Sequence, residues 1–341
     1  MAAANPELSV AVFGAGAFGR NHLRVYRELE QSGFGVRLAA VADPDPAAAA
    51  MLPENLQVFS SPEACLEACR AGRLHLDAVS VCVPTSAHYS VTSQALSQGL
   101  DVLLEKPIAI NLEEADALAR QAAATRKILQ VGLLERFNPA VAAAEPLVNG
   151  PMFFEAHRLS VFHHRALDVD VVLDLMIHDL DVVLSFVRSP VRQLHAVGLR
   201  ILSPKVDIAN VRLEFASGCV ANFTASRVST EKVRKLRFFQ PHQYVSLDYA
   251  RQDLLVINLD KNASIEAQPD SPAPNPGLSF SKPEIETGEP LRLEILAFLH
   301  SVRTRTPPRV DAQAGRDALA LALEINAEIV AHARRAGLDQ F

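Results

Sequence analysis

The sequence predicts an α/β protein in two domains. An N-terminal doubly wound parallel (Rossmann) sheet covers residues 1–134, and an α+β domain with a large open, mainly antiparallel sheet covers 135–341. Three observations carry this. Short runs rich in Val, Ile and Leu alternate with helix-like stretches through the first domain, as strands covered on both faces of a parallel sheet require. The first run opens into Gly14-Ala-Gly16-Ala-Phe-Gly19, a glycine pattern set between a strand and a helix. Beyond Asn138-Pro139 the alternation stops, and strand-like runs follow one another.

In order, the first-domain strands are LSVAVFG (8–14), VRLAAVAD (36–43), LQVFS (56–60), DAVSVCVP (77–84), DVLLEKP (101–107) and ILQVGLL (128–134). Helices fall between them at FGRNHLRVYRELEQ, SPEACLEACRAG, SAHYSVTSQALSQ and NLEEADALARQAAATRK. Ser61 before Pro62, Thr85 or Ser86, and Asn111 stand where caps are needed, because their side-chain oxygens can accept the unpaired amides of a first helical turn. The second domain is expected to hold a helix over 169–188, followed by the strands VRQLHAVGLRIL, DIANVRLEFASG, CVANFTASRVS, KVRKLRFFQ, YVSLDYA and DLLVINL. Residues 267–290, rich in Pro, Ser and Gly, read as an exposed loop. Two amphipathic helices close the chain near 290–303 and 312–336 and can pack back on the first domain.

Composition narrows the function. The 341 residues are 49% hydrophobic and 21% charged, the profile of a soluble globular chain, and a net charge of −6 gives no field for nucleic acid or anionic lipid. Cys65, Cys69, Cys82 and Cys219 have no metal-ligand spacing and read as free thiols of a reducing compartment. The N-terminal stretch lacks a charged leader, and no apolar run approaches the ~18 residues of a membrane span, so a cytoplasmic protein is expected.

The glycine motif has the context that dinucleotide binding demands. Gly14 permits the tight turn, Gly16 lets backbone approach a pyrophosphate, and Gly19 lets helix and strand pack, while Ala17 and Phe18 complete the loop. The second strand ends in Asp43, 24 residues past Gly19, where a carboxylate accepts ribose hydroxyls; no Arg or Lys follows in DPDPAAAA to receive a 2′-phosphate, so NAD is expected rather than NADP. Pro84, Thr85 and His88 after the fourth strand, and Glu105-Lys106-Pro107 after the fifth, converge on the same cofactor crevice. Glu105 reads as either an orienting or a catalytic carboxylate.

The segment VVLDLMIHDLDVVL (171–184) carries ionisable groups on a greasy helix. At α-helical spacing Asp174, His178 and Asp181 share one face, beside an apolar stripe of Leu173, Ile177, Leu180 and Leu184. Asp179 points elsewhere. A metal is not expected, since His178 is the only strong nitrogen donor on that face. His163-His164-Arg165 lies upstream, where His164 and Arg165 are candidates for substrate contact or for a solvated loop. Asn138 follows the sixth strand and is a candidate contact to substrate or cofactor; Asn21 and His22 read as structural or surface positions.

Taken together, the glycine motif, VCVPTSAHY, Glu105-Lys106-Pro107, ERFNP (135–139) and the D-x-x-x-H pattern at 174–178 resemble the Gfo/Idh/MocA oxidoreductase family over essentially the whole chain. The resemblance implies nicotinamide-dependent oxidation of a sugar or polyol hydroxyl. It places Lys106 and His178 as catalytic residues, Asp174 as a substrate contact, and a cis Lys106–Pro107 bond. Hydride transfer also needs a group to take the hydroxyl proton; His178, near neutrality in its reference pKa, is the expected base, and Lys106 the electrostatic partner of the alkoxide.

Within the family, MIHDLDVVLSFVRSPV and KVRKLRFFQP are similar to enzymes that oxidise the 3-hydroxyl of UDP-N-acetylglucosamine. That similarity implies a UDP-sugar substrate and a partner aminotransferase that makes a diamino sugar for lipid A. A free polyol or inositol dehydrogenase, and a non-catalytic NAD-sensing regulator, are the alternatives. The basic run from Arg227 through Lys232, Arg234, Lys235 and Arg237 is either a solvated strand face or a contact for an anionic substrate group. Alternating apolar residues in NVRLEF and VANFTAS predict a sheet covered by another subunit, hence a homodimer or homotetramer.

Overall fold

The structure is a computed structural model that describes residues 7–45, 56–162, 169–260 and 277–338. The chain divides into two compact units, residues 1–134 with 289–319, and residues 135–288 with 320–341. Residues 289–319, assigned to the second domain by sequence, therefore group with the first.

The first unit is built on six parallel strands: β1 (Leu8–Phe13), β2 (Val36–Ala42), β3 (Gln57–Phe59), β4 (Ala78–Val81), β5 (Asp101–Glu105) and β6 (Leu129–Gly132). Their order is β3-β2-β1-β4-β5-β6, so the chain reverses its winding beside β1, where open α/β sheets bind ligands. The helices are α1 (Gly19–Gln31), α2 (Pro62–Arg70), α3 (His88–Ser97), α4 (Leu112–Thr125) and α7 (Pro290–Thr304). Two of the expected caps form: Ser61 accepts the Ala64 amide, and Asn111 accepts that of Glu114. Tyr26 and Leu29 of α1 and Ile295, Phe298 and Leu299 of α7 join Val10, Val12 and Leu103 in one core. Each such aliphatic or aromatic side chain contributes about 1.5–3 kcal/mol on burial.

The second unit holds an eight-stranded sheet in the order β14-β13-β12-β11-β7-β10-β9-β8. Its strands are β7 (Phe153–Leu159), β8 (Val191–Leu199), β9 (Ile208–Phe215), β10 (Val220–Ser226), β11 (Val233–Gln240), β12 (Gln243–Asp248), β13 (Asp253–Leu259) and β14 (Leu278–Ser281). All neighbours run antiparallel except β7 and β10. The last strand falls inside the stretch expected to be loop; four residues of it pair with β13 and extend its open ladder.

Strict alternation decides which side chains form the core. Phe154 and Ala156, Val211 and Leu213, Ala221 and Phe223, and Leu236 and Phe238 all point to one face. They pack with α5 (Pro139–Ala144), α6 (Ile177–Val187) and Leu321, Ala322, Ile325 and Ile329 of α8 (Ala312–Arg335). The apolar residues of NVRLEF and VANFTAS thus fill this unit's own core. The opposite face between β9 and β10 is polar, with Asn210 bonded to Thr224 and Arg212 to Asn222. A subunit contact does not follow from that alternation.

No helix among the described residues is long and apolar enough to cross a membrane. All four cysteines are free, and burial pushes the Cys65 thiol up to about 12, away from reactivity.

Candidate active site

In the first unit, β1 ends at the glycine loop and α1 begins at Gly19. Gly14 sits at φ +91°, and a Cβ there would lie 2.6 Å from the Cys82 carbonyl oxygen; a Cβ on Gly19 would meet the Gly14 oxygen at 1.9 Å. Both positions are closed to side chains by backbone. Gly16 differs, because nothing lies within 4 Å of its missing Cβ and the residue is exposed with Ala17 and Phe18. No side chain caps the first turn of α1. The exposed Gly16–Phe18 loop, with open space at Gly16, at the start of α1 fits a dinucleotide pyrophosphate.

Asp43, just past β2, accepts the Ala15 amide on Oδ2 (2.5 Å) and the Asp45 amide on Oδ1 (2.8 Å). It therefore braces the loop as well as presenting a carboxylate for ribose hydroxyls, each oxygen keeping a second lone pair. Pro84 and Thr85 lie on the turn after β4, exposed and half-exposed.

His88 departs from expectation. It is 1% exposed, with Nδ1 2.7 Å from the Pro107 carbonyl and Nε2 3.0 Å from that of Val83. Burial holds this imidazole below its ordinary range even though both carbonyls favour the charged ring. A side chain so engaged pins the turn at Pro107 and has no surface to offer a cofactor.

Glu105 ends β5 almost fully buried, and its Oε1 lies 2.9 Å from His22 Nε2. It too is internal, not a cofactor contact. His22, expected to be structural or surface, is fully buried. Lys106 follows, half-exposed, and the Lys106–Pro107 bond is cis.

In the second unit, the helix of Asp174 and His178 is not α-helical throughout. Val172–Met176 forms a π turn, and α6 begins at Ile177. Its amides reach one residue further back than those of an α-helix, so the turn that carries Asp174 is wider than the one that carries His178. Asp174 is half-exposed, His178 8% exposed, and Asp179 and Asp181 are buried.

The last two carboxylates have named partners. Asp181 accepts from Arg136 Nη1 at 3.1 Å, so it is directed to a guanidinium. Asp179 receives a fork from Arg158, Nε to Oδ2 at 2.7 Å and Nη2 to Oδ1 at 2.9 Å, while Arg158 Nη1 bonds Glu135 at 2.9 Å. The Arg158 guanidinium also lies 5.1 Å over the Tyr249 ring. Burial alone would lower this group, but the charges of Asp179 and Glu135 outweigh it and raise Arg158 further.

Sequence reasoning passed over Arg158. The signal was present: alternation in FFEAHRL places Arg158 on the inward face with Phe154 and Ala156, and an inward arginine requires counter-charges.

Asn138 is 1% exposed. Its amide nitrogen donates to Glu135 and to the Tyr249 carbonyl, and its oxygen accepts the Ala140 amide. It caps α5 and binds no substrate. His164 and Arg165 lie outside the described residues.

The basic run separates by burial. Arg227 is buried, donates to the Val169 carbonyl and lies 3.7 Å from Asp207. Arg237 pairs at 3.6 Å with Glu155, and Arg234 comes within 4.0 Å of Glu135. Arg234 first, then burial and Arg158, lower Lys232; burial and Arg158 lower Arg234. Lys232, Arg234 and Arg158 thus form a cationic corner in which the charge of Arg234 disfavours that of Lys232 and the charge of Arg158 disfavours both.

Comparison with known proteins agrees with this anatomy. Residues 8–133 match the model of the oxidoreductase family with an NAD-binding Rossmann fold, and residues 149–240 match the GFO/IDH/MocA C-terminal domain. UDP-N-acetylglucosamine 3-dehydrogenase of Acidithiobacillus ferrooxidans is 33% identical over 96% of this chain and 99% of its own. A solved structure of that enzyme superposes with a TM-score of 0.83 at 31% identity, covering 95% of this chain and 98% of the other. The scyllo-inositol 2-dehydrogenase (NAD(+)) of Bacillus subtilis is 27% identical over 65% of this chain and 68% of its own.

Proposed function

The chain belongs to the Gfo/Idh/MocA oxidoreductase family and is an NAD-dependent sugar dehydrogenase, and we propose that it oxidises the 3-hydroxyl of UDP-N-acetylglucosamine to the 3-keto sugar nucleotide. The observation that carries the choice of substrate is end-to-end similarity to a UDP-N-acetylglucosamine 3-dehydrogenase, whereas the inositol dehydrogenase match spans about two thirds of the chain.

NAD, when bound, supplies the hydride acceptor. The glycine loop and the first amides of α1 hold its pyrophosphate, and the Asp43 carboxylate takes the ribose hydroxyls. His178 accepts the proton of the sugar hydroxyl. The Lys106 ammonium stabilises the alkoxide as charge develops on oxygen. Asp174 accepts a hydrogen bond from a neighbouring sugar hydroxyl. Lys232 and Arg234 receive the substrate diphosphate, whose negative charge offsets the cationic neighbours that disfavour each of them.

The product is a ketone poised for amination, so an aminotransferase consumes it on the way to a diamino sugar of lipid A. The enzyme works in the cytoplasm. The test is reduction of NAD across a panel of UDP-sugars and free polyols, with an aminotransferase present to draw off the ketone. Turnover confined to UDP-N-acetylglucosamine is expected. Turnover of inositol alone would replace this reading with a polyol dehydrogenase, and none on any substrate would leave an NAD-binding regulator.

A further inference from the structure

Lys106 stands between two residues that buried histidines grip from different elements of the first unit. His22, in the first turn of α1, places Nε2 2.9 Å from the Glu105 carboxylate. Its ring packs on Phe18 of the glycine loop, with centroids 5.7 Å apart. His88, which starts α3, places Nδ1 2.7 Å from the Pro107 carbonyl and Nε2 on the Val83 carbonyl at the end of β4. Both histidines are at most 1% exposed.

The surroundings are shaped to keep the Glu105 carboxyl in place. Gly132 lies opposite Glu105 in the β5–β6 register, and a Cβ there would come within 2.9 Å of Glu105 Oε1. The carboxyl occupies room that exists because position 132 has no side chain. A second acid, Glu294 of α7, is fully buried nearby; burial, then the charge of Glu105, pushes it up, and no described residue hydrogen-bonds either of its carboxyl oxygens. It therefore does not contend for His22.

We propose that His22 and His88 are positioning residues that clamp Glu105-Lys106-Pro107 from its two sides and so set where the Lys106 ammonium stands during hydride transfer. The inference rests on the role given to Lys106 above. Neither imidazole touches a reactant, so losing a grip displaces the lysine without removing a binding contact. A displacement of about 1 Å costs as much as about a hundredfold in rate.

The test uses the fact that each histidine grips through a different ring nitrogen. Gln reproduces the reach of Nε2 and Asn that of Nδ1. His22→Gln is expected to keep kcat within about threefold, and His22→Asn to lose about 10–100-fold. At position 88 the pattern reverses, because the Pro107 contact uses Nδ1: His88→Asn keeps turnover and His88→Gln loses it. All four should bind NADH, followed by fluorescence, within about twofold of the wild type, and KM for the sugar should move less than kcat.

Equal kcat for Asn and Gln at both positions would overturn the clamp, as would weakened NADH binding with kcat intact. Lys106→Ala completes the set. If it turns over like the wild type, the role of Lys106 itself falls. If it is inactive while the crossed pattern is missing, only the clamp falls.

Discussion

Replacing Glu294 by Gln takes one titrating proton out of the core of the first unit. Glu294 is fully buried on α7, and neither of its carboxyl oxygens has a hydrogen-bond partner among the described residues. Burial raises it first and the Glu105 charge second; Tyr26 and Cys82, both raised by burial, are the other titratable groups that feel its charge. The folded protein therefore keeps a proton that the unfolded chain releases above about pH 4.3.

The sign follows from linkage. Between that value and the raised folded value, unfolding releases a proton, so stability falls as pH rises, by up to about 1.4 kcal/mol per pH unit. Gln has the same shape and no proton to keep. The stability gained by Glu294→Gln should be near zero at about pH 4.3 and grow with pH, reaching at most about 2.7 kcal/mol more at pH 7 than at pH 5. At about 2–4 °C per kcal/mol, the unfolding midpoints should diverge by roughly 5–10 °C over that interval. Thermal unfolding of both proteins at pH 5, 6 and 7 and constant ionic strength measures this directly. A gap that stays constant with pH, or narrows as pH rises, refutes a neutral Glu294.

Three further expectations concern the other groups. His178→Asn should leave NADH binding intact and slow turnover about 10²–10⁴-fold, as loss of a general base does; near-normal kcat in steady-state assays would remove that role. Arg158→Met should destabilise by about 3–5 kcal/mol, because it leaves Asp179 and Glu135 as buried charges without their shared guanidinium; a denaturant midpoint close to wild type would show that the pair relaxes or protonates. Titration should find NAD bound more tightly than NADP, since Asp43 stands where a 2′-phosphate would bring like charge; the reverse order would contradict the cofactor reading.

Local pattern made much of the fold legible. Gly14 to Gly19 between strand and helix identified the first unit, and strand-like runs beyond the helix at 169–188 identified β8 to β13, whereas β7 went unread. The short β14 escaped because four residues among Pro, Ser and Gly carry no alternation long enough to read; its pairing depends on an available edge, which is a tertiary property. The candidate site divided along similar lines. Lys106 and His178 could be singled out by resemblance, but the partners of His22, His88, Asn138 and Arg158 come from elements 3 to 111 residues away. Spacing within one helix cannot reveal such partners. It also could not reveal the π turn, which depends on which carbonyl each amide chooses.

That turn bears on how the enzyme can change. A helix that already carries one surplus residue can shed it and remain a helix. Shortening 172–176 by one position would rewind the turn without the rotation of about 100° that a deletion imposes on a regular α-helix, so the anchors downstream, Asp179 on Arg158 and Asp181 on Arg136, would stay where they are. Insertions and deletions are usually confined to loops, yet here one can be absorbed inside a helix, beside Asp174 and with His178 undisturbed. The surroundings of Asp174, the proposed substrate contact, can then change in single-residue steps while the proposed base keeps its place.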